Sequence, residues 1–269
     1  VNPIELYKKL PKKNCNQCKQ KTCMPFALSV IKGEAELSEC PHLTNKEIEL
    51  LKGSITKSDW REKLILSLKQ EVRNINFRDI AEGIGAELKE DNSLAIKCIG
   101  RTFIISPDGE VTTHGHITPW MKILLLHYIR MAGKGNLSGK WVSYSELKGG
   151  MVKAFSFQRD CEEPLKELID RDFVQTEKIF IRLGAERHKG FPTDNAWCLY
   201  LLPKLPIMIL YWPREEEFES KLKIIFDSTA DRFLDAESII FLVEGLVKNV
   251  EVNSKFADRN EVIEGNTFN

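Results

Sequence analysis

Four cysteines stand near the start of the chain, Cys15, Cys18, Cys23 and Cys40, in the spacing C-x2-C-x4-C-x16-C. Three thiols fall within nine residues, and the fourth precedes a proline, Cys40-Pro41. Such an array can converge on one metal centre. Thiolates are soft ligands suited to zinc or to iron–sulfur clusters, and a [4Fe–4S] cube takes four of them. Structural zinc sites usually come as two short Cys or His pairs. Here the array is a triplet plus one distant Cys-Pro, an ending that recurs in bacterial ferredoxins. The spacing therefore favours one [4Fe–4S] cluster, with a structural zinc as the alternative, and the chemistry it implies is electron handling.

The residues between the cysteines must position them. Thr22 is suited to cap a helix whose first residue is Cys23, with Pro25 tolerated in the first turn. Ala27, Val30 and Ile31 would face inward and Gly33 would end the helix. Free N–H groups and the positive end of the helix dipole would then favour an anionic centre at Cys23. The sixteen-residue gap lets the chain finish that helix and return at Cys40. Phe26, Leu28, Leu37 and Leu43 are available to shield the centre from water. His42 follows Cys40-Pro41 and is either a partner for a cluster sulfur or an ordinary polar neighbour.

The 269 residues are 42 % hydrophobic and 29 % charged, as in a soluble globular protein of one to two domains. Net charge is zero, yet residues 1–57 carry +4 and the remainder −4. Positive charge near the cysteines suits an acidic partner, with Lys19 and Lys21 as a docking rim; the plainer reading is a solvated surface. Seven cysteines, an odd number, four of them in a metal-like array, fit a disulfide scaffold poorly. No apolar run is long enough to span a membrane, and the start, VNPIELYKKL, has no apolar signal core, so a reducing cytoplasm is the expected location. G-x-G-x-x-G, P-loop, G-x-S-x-G and H-E-x-x-H patterns are absent, and the neutral charge balance gives no basis for nucleic-acid binding.

The organisation expected is a cluster domain over 1–55, an α+β domain over 56–252 and a polar tail over 253–269. Thr44 to Glu47 forms a capping box opening a helix that Gly53 can close, followed by a linker at 53–58. Helical spacing recurs at Trp60, Leu64, Ile65, Leu68 and Val72, and again from Phe77 to Leu88. Strands are expected at 94–100 and 101–106, closed by the turn Pro107-Asp108-Gly109. A helix capped by Thr118 with Pro119 in its first turn should run to about Met131. Residues 196–202 and 207–212 read as neighbouring strands, 222–226 as another, and a last helix begins near Asp235. The fold class is α+β: a small, mostly helical four-Cys domain, then a larger domain with a sheet of roughly four to six strands.

Other residues that could do chemistry are weaker. His114 and His116 could share a metal but lack a visible third ligand, and a polar loop after a hairpin explains them. Cys98, Cys161 and Cys198 read as small core residues. Glu215, Glu216 and Glu217 read as a solvated loop, or else as a partner-docking edge. Trp197, Tyr200, Tyr211 and Trp212 read chiefly as core, with a stacking surface for a flat cofactor as the alternative. No catalytic residue is identified.

The segment LYKKLPKKNCNQCKQKTCMPFALSVIKGEAELSECPHL resembles the N-terminal cluster domain of the corrinoid iron–sulfur protein large subunit, from the CO dehydrogenase/acetyl-CoA synthase pathway. It is similar also to the matching domain in the cluster subunit of Rnf-type electron-transport complexes. The resemblance covers about residues 4–43 and implies that Cys15, Cys18, Cys23 and Cys40 bind one [4Fe–4S] cluster. This chain departs from the pattern at Asn16 and Lys19, where those families usually carry glycine, and at Lys21, where they carry proline. The added positive charge should favour the reduced cluster. The rest of the chain resembles a family of anaerobe proteins in which this domain precedes a conserved domain of unknown function. Its marks are LSGKWVSYSELKGG (137–150), LPKLPIMILYWPREEEF (202–218) and LKIIFDSTADRFLDAESI (222–239). No D-x-H-x-x-G cobalamin signature occurs, and the larger barrel-type domain of the corrinoid subunit cannot fit.

The expected function is transfer of single low-potential electrons in anaerobic metabolism. The partner would be a redox protein: a ferredoxin, a corrinoid protein or a one-carbon enzyme system. One alternative is a redox enzyme with a substrate or cofactor site in the α+β domain, fed by the cluster. The other is a structural or redox-sensing metal-binding protein.

Overall fold

The computed structural model describes residues 3–18, 20–32, 34–54 and 60–265. The chain forms two compact units that divide between Leu64 and Ile65.

The first unit is helical. Helix α1 (Pro3–Lys9) packs on α2 (Cys23–Lys32); a 3-10 turn at Leu37–Glu39 and helix α3 (Asn45–Ser54) complete it. Leu6, Leu10, Phe26, Ala27, Leu37, Ile48 and Leu51 form its core together with Cys23 and Cys40. Val30 and Ile31 pack against that core from α2, as their spacing requires, and Leu43 joins them. Leu28 instead stands 42 % exposed, because it points to the side of α2 away from Phe26 and Val30, each two residues from it. The expected capping box is present: the Thr44 N–H donates to Glu47 Oε2 at 2.8 Å, and the Glu47 N–H donates to Thr44 Oγ1 at 3.3 Å. Gly53 does not close α3, which runs on to Ser54, so the expected linker begins inside the helix. Gly33, the expected end of α2, and residues 55–58 of that linker lie outside the described residues.

The second unit is α+β. It begins within α4 (Trp60–Arg73), at Ile65, and continues with α5 (Phe77–Ile84), whose Phe77, Ile80, Ala81 and Ile84 are buried on one face. Asn76 caps α5 through Oδ1 to the Arg78 N–H. Strands β1 (Glu87–Leu88), β2 (Leu94–Cys98), β3 (Arg101–Ile105) and β4 (Val111–Thr112) make a four-stranded antiparallel sheet in sequential order. β2 and β3 occupy the expected segments and are joined through Ile99 and Gly100, at φ 45° and 73°. Such a two-residue hairpin needs left-handed backbone at both positions, which a β-branched isoleucine rarely adopts. The Ile99 N–H donates to the Leu201 carbonyl at 2.9 Å, tying this tip to the second sheet.

Helix α6 (Pro119–Met131) has Thr118 as its cap, the Met121 N–H donating to Thr118 Oγ1 at 3.3 Å. After β5 (Trp141–Ser143) come α7 (Gly150–Phe157), a π-helical turn at Gln158–Glu162, α8 (Glu163–Arg171) and α9 (Phe173–Leu183). Then follow β6 (Glu186–Arg187), β7 (Asn195–Leu202), β8 (Leu205–Trp212), β9 (Lys221–Asp227) and α10 (Ala236–Gly265). The second sheet is antiparallel in the order β5-β9-β8-β7-β6. The expected strands thus sort into two sheets of four and five. β8 is buried on both faces. One face meets the main core with Ile239, Leu242, Val243 and Leu246 of α10, and the other carries Ala196, Cys198, Met208 and Leu210 beneath Trp141, Phe191 and Trp212. Residues 253–265, expected as a polar tail, continue α10.

Candidate metal centre

The loop from Pro11 to Thr22 gets its shape from left-handed backbone. Lys12, Asn14 and Asn16 have φ of 56°, 46° and 55°. Asparagine tolerates this region because its short polar side chain can bond locally. Asn16 thus accounts physically for a position where the resembling families carry glycine. Lys12 has no such help from its own side chain, and its ammonium lies 5.7 Å from the Tyr7 ring centroid, where Tyr7 packs on the small core.

Asn14 also makes the bond that starts α2: the Cys23 N–H donates to Asn14 Oδ1 at 2.9 Å. Thr22 stands at the cap position expected of it, its backbone carbonyl accepting the Phe26 N–H at 3.3 Å, while the side-chain acceptor for the Cys23 N–H comes from nine residues upstream. Gln20 fastens the other end of the loop. Its Nε2 donates to the buried Ser29 Oγ at 3.2 Å, and its carbonyl accepts from the Cys18 thiol at 3.7 Å. Cys40 ends the 3-10 turn, its N–H donating to the Leu37 carbonyl at 3.2 Å, and its own carbonyl accepts the Leu43 N–H at 3.2 Å. Lys13 Nζ lies 3.4 Å from His42 Nδ1, so the residues flanking Asn14 and Cys40 meet at one place.

All four cysteines are free thiols. Cys23 and Cys40 are buried, at 8 % and 7 % exposure, in the same core; Cys18 packs at its edge and Cys15 is exposed. Among the described residues no three His, Cys, Asp or Glu side chains are gathered closely enough to hold a metal ion. Two thiols are thus set by the core, and two ride on the loop. The donor set, four sulfurs and no disulfide, suits a thiolate-bound metal or cluster. Residues 6–33 also hold seven Lys and no Asp or Glu. Of the expected docking rim, Lys21 is exposed, while Lys19 lies outside the described residues.

The other sequence candidates are dispersed. His114 and His116 sit in an exposed loop, both backbone carbonyls accepting from the Arg101 guanidinium. Cys98, Cys161 and Cys198 are buried, and desolvation pushes their thiols up, to about 12 for Cys98 and about 11 for Cys198. Glu215, Glu216 and Glu217 are exposed. Trp197 and Tyr211 are core residues whose polar tips bond Glu177 and Asp170, at 2.9 and 2.7 Å. Tyr200, read as core, is 50 % exposed because it points outward where β7 bulges.

Comparison with known proteins follows this division. A family model described as a domain of unknown function (DUF3786) matches residues 76–249, well over half of the chain. The chain belongs to that family. A second family model, described as "Putative Fe-S cluster", matches residues 10–42, which include all four cysteines of the array. The same region is 44 % identical over 48 residues to the corrinoid/iron-sulfur protein large subunit of Moorella thermoacetica, covering 18 % of this chain and 11 % of that protein. It is 39 % identical over 51 residues to the acetyl-CoA decarbonylase/synthase complex subunit gamma of Methanothermobacter thermautotrophicus, covering 19 % of this chain and 11 % of that one. The chain spans about a tenth of the length of the curated relatives it matches. No solved structure matches it significantly. Among the described residues no helix is long and apolar enough to cross a membrane.

Proposed function

We propose that Cys15, Cys18, Cys23 and Cys40 hold one [4Fe–4S] cluster, and that the protein passes single low-potential electrons to or from a protein partner. The observation that carries this reading is the set of four free thiols spaced C-x2-C-x4-C-x16-C, three of them in or at the edge of one small core. The match of residues 10–42 to an iron–sulfur family model supports it. The named relatives are subunits of corrinoid/iron-sulfur and acetyl-CoA decarbonylase/synthase proteins, which supports a partner in one-carbon metabolism; a reducing, anaerobic cytoplasm is part of the same proposal.

A bound cluster of this kind supplies reversible one-electron transfer. The chain's own residues supply the rest. The buried Cys23 and Cys40 offer two thiolates from a fixed core, and the loop must bring Cys15 and Cys18 to them. Asn14 holds the first residue of α2, a helix N-terminus whose dipole favours negative charge. Phe26 and Leu37 keep the core side dry, and the lysines offset added negative charge on reduction. Single Cys→Ala variants, purified without oxygen, test the ligand set. Each should lose most of its iron and sulfide, whereas Cys98→Ala and Cys198→Ala should retain both. Retention of the full complement in any of the four N-terminal variants removes that cysteine from the set.

A further inference from the structure

Residues 6–33 carry seven lysines and no carboxylate, and the outer face of α2 is apolar. Met24 and Leu28, one helical turn apart, are 39 % and 42 % exposed. Lys21 enters immediately ahead of this row, and Lys12 and Lys13 are exposed on the loop that Asn14 ties to Cys23. Lys13 also reaches His42, beside Cys40-Pro41. Three of the unit's carboxylates have partners of their own: Glu39 accepts the Glu36 N–H, Glu47 accepts from Thr44, and Glu49 pairs with Lys52 at 3.6 Å.

We propose that the exposed Lys12, Lys13 and Lys21, on the loop that leads into α2, together with Met24 and Leu28 on its outer face, form the docking face for a redox protein with an acidic contact surface. This rests on the proposed cluster and names the class of partner that reaches it. Two features argue for it. Opposite charge raises encounter rates by about tenfold to a thousandfold, and an apolar centre within a charged rim is the anatomy of a transient interface. The exposed Cys15 is carried on the same loop, so a partner seated there approaches the thiolate array directly. The step balances simply: one electron leaves the reduced partner and one is gained here, or the reverse, with no group transferred.

The test uses the full chain isolated without oxygen, its iron, sulfide and reduced EPR signal recorded first. Stopped-flow then follows electron exchange with an acidic ferredoxin, and with a basic c-type cytochrome as the opposite-charge control. The ferredoxin rate should fall about tenfold or more between about 20 mM and about 300 mM ionic strength, while the cytochrome rate should not fall. The triple variant Lys12→Glu/Lys13→Glu/Lys21→Glu should lower the low-salt ferredoxin rate by about tenfold, and Lys52→Glu on α3 by less than about twofold. Replacing Met24 and Leu28 together by serine should lower the rate at both ionic strengths. A cluster-loaded chain whose ferredoxin rate ignores salt overturns the docking face and leaves the cluster reading intact. An equal effect from Lys52→Glu overturns it in favour of net charge alone. Binding to anionic phosphatidylglycerol vesicles without ferredoxin exchange overturns it in favour of a lipid surface. A wild-type chain with no iron or sulfide overturns both readings together.

Discussion

Asn14 is the residue on which the geometry of the cysteine loop depends most. It performs two separable tasks: it accepts the Cys23 N–H at 2.9 Å, and it occupies left-handed backbone at φ 46°. Asn14→Gly removes the acceptor but leaves the backbone relaxed, so it should weaken the start of α2 by about 1 kcal/mol. Asn14→Ala removes the acceptor and adds the left-handed penalty of a Cβ, about 1–2 kcal/mol more. Asn14→Asp keeps the acceptor and places a negative charge at the helix N-terminus, worth about 0.3–1 kcal/mol in the metal-free chain. The same charge beside four thiolates should weaken metal loading. The assay is amide hydrogen exchange of residues 23–30 in the metal-free protein. Protection should fall about fivefold for glycine and about thirtyfold or more for alanine, and rise or hold for aspartate. Wild-type protection in Asn14→Gly refutes the capping role. Equal loss in the glycine and alanine variants refutes the backbone argument.

Three other outcomes follow from the same structure. In the native metal-free chain at pH 8, iodoacetamide should label Cys15 first and leave Cys98, Cys161 and Cys198 untouched, since burial holds those thiols neutral; mass mapping that finds the buried three labelled early contradicts this. Because their folded values are raised above the ordinary 9.0, their contribution to stability is complete below that pH and is lost as pH rises toward about 11–12. Glu162, in the π-helical turn, accepts the Ile224 N–H at 3.0 Å and Lys223 Nζ at 2.8 Å. Glu162→Leu should lower stability by about 1–3 kcal/mol in urea titration, and Lys223→Met by less than about 1, the lysine being the half-exposed partner. His127 packs against Asp235, Ser238 and Arg130, and burial, then Arg130, lower its basicity below the ordinary 6.5. Its neutral form is favoured in the fold, so its contribution holds above that value and is lost as pH falls below it; His127→Gln should flatten the acid side of the stability profile.

Where interactions are local in sequence, the residue types announce them. Thr44 and Glu47 stand three apart and form the box that spacing requires. Thr118 and Pro119 open α6, and the Pro107-Asp108-Gly109 turn closes on a Gly109 N–H bond to the Ser106 carbonyl at 2.8 Å. The paired strands β7 and β8 show in their long apolar runs. Non-local features did not show. The Asn14 cap acts across nine residues and asparagine at that position looks like any loop residue. The Ile99-Gly100 turn lacks the usual Asn-Gly pair, and tertiary anchoring to Leu201 holds it instead. The division of strands between two sheets depends on β5 joining β9, with Trp141 opposite Asp227 and Ser143 opposite Ile225, far apart in the chain. At the candidate centre the residue types and spacing were legible, but the split between two core-set thiols and two loop-borne ones depends on packing.

The four N-terminal cysteines are proposed to hold a cluster. Anaerobic purification followed by iron, sulfide and zinc analysis, with EPR of the dithionite-reduced sample, tests it most directly. The expected result is about four irons and four sulfides per chain with the signal of a reduced [4Fe–4S] cluster. About one zinc per chain and no sulfide would contradict it and leave a structural zinc unit in its place.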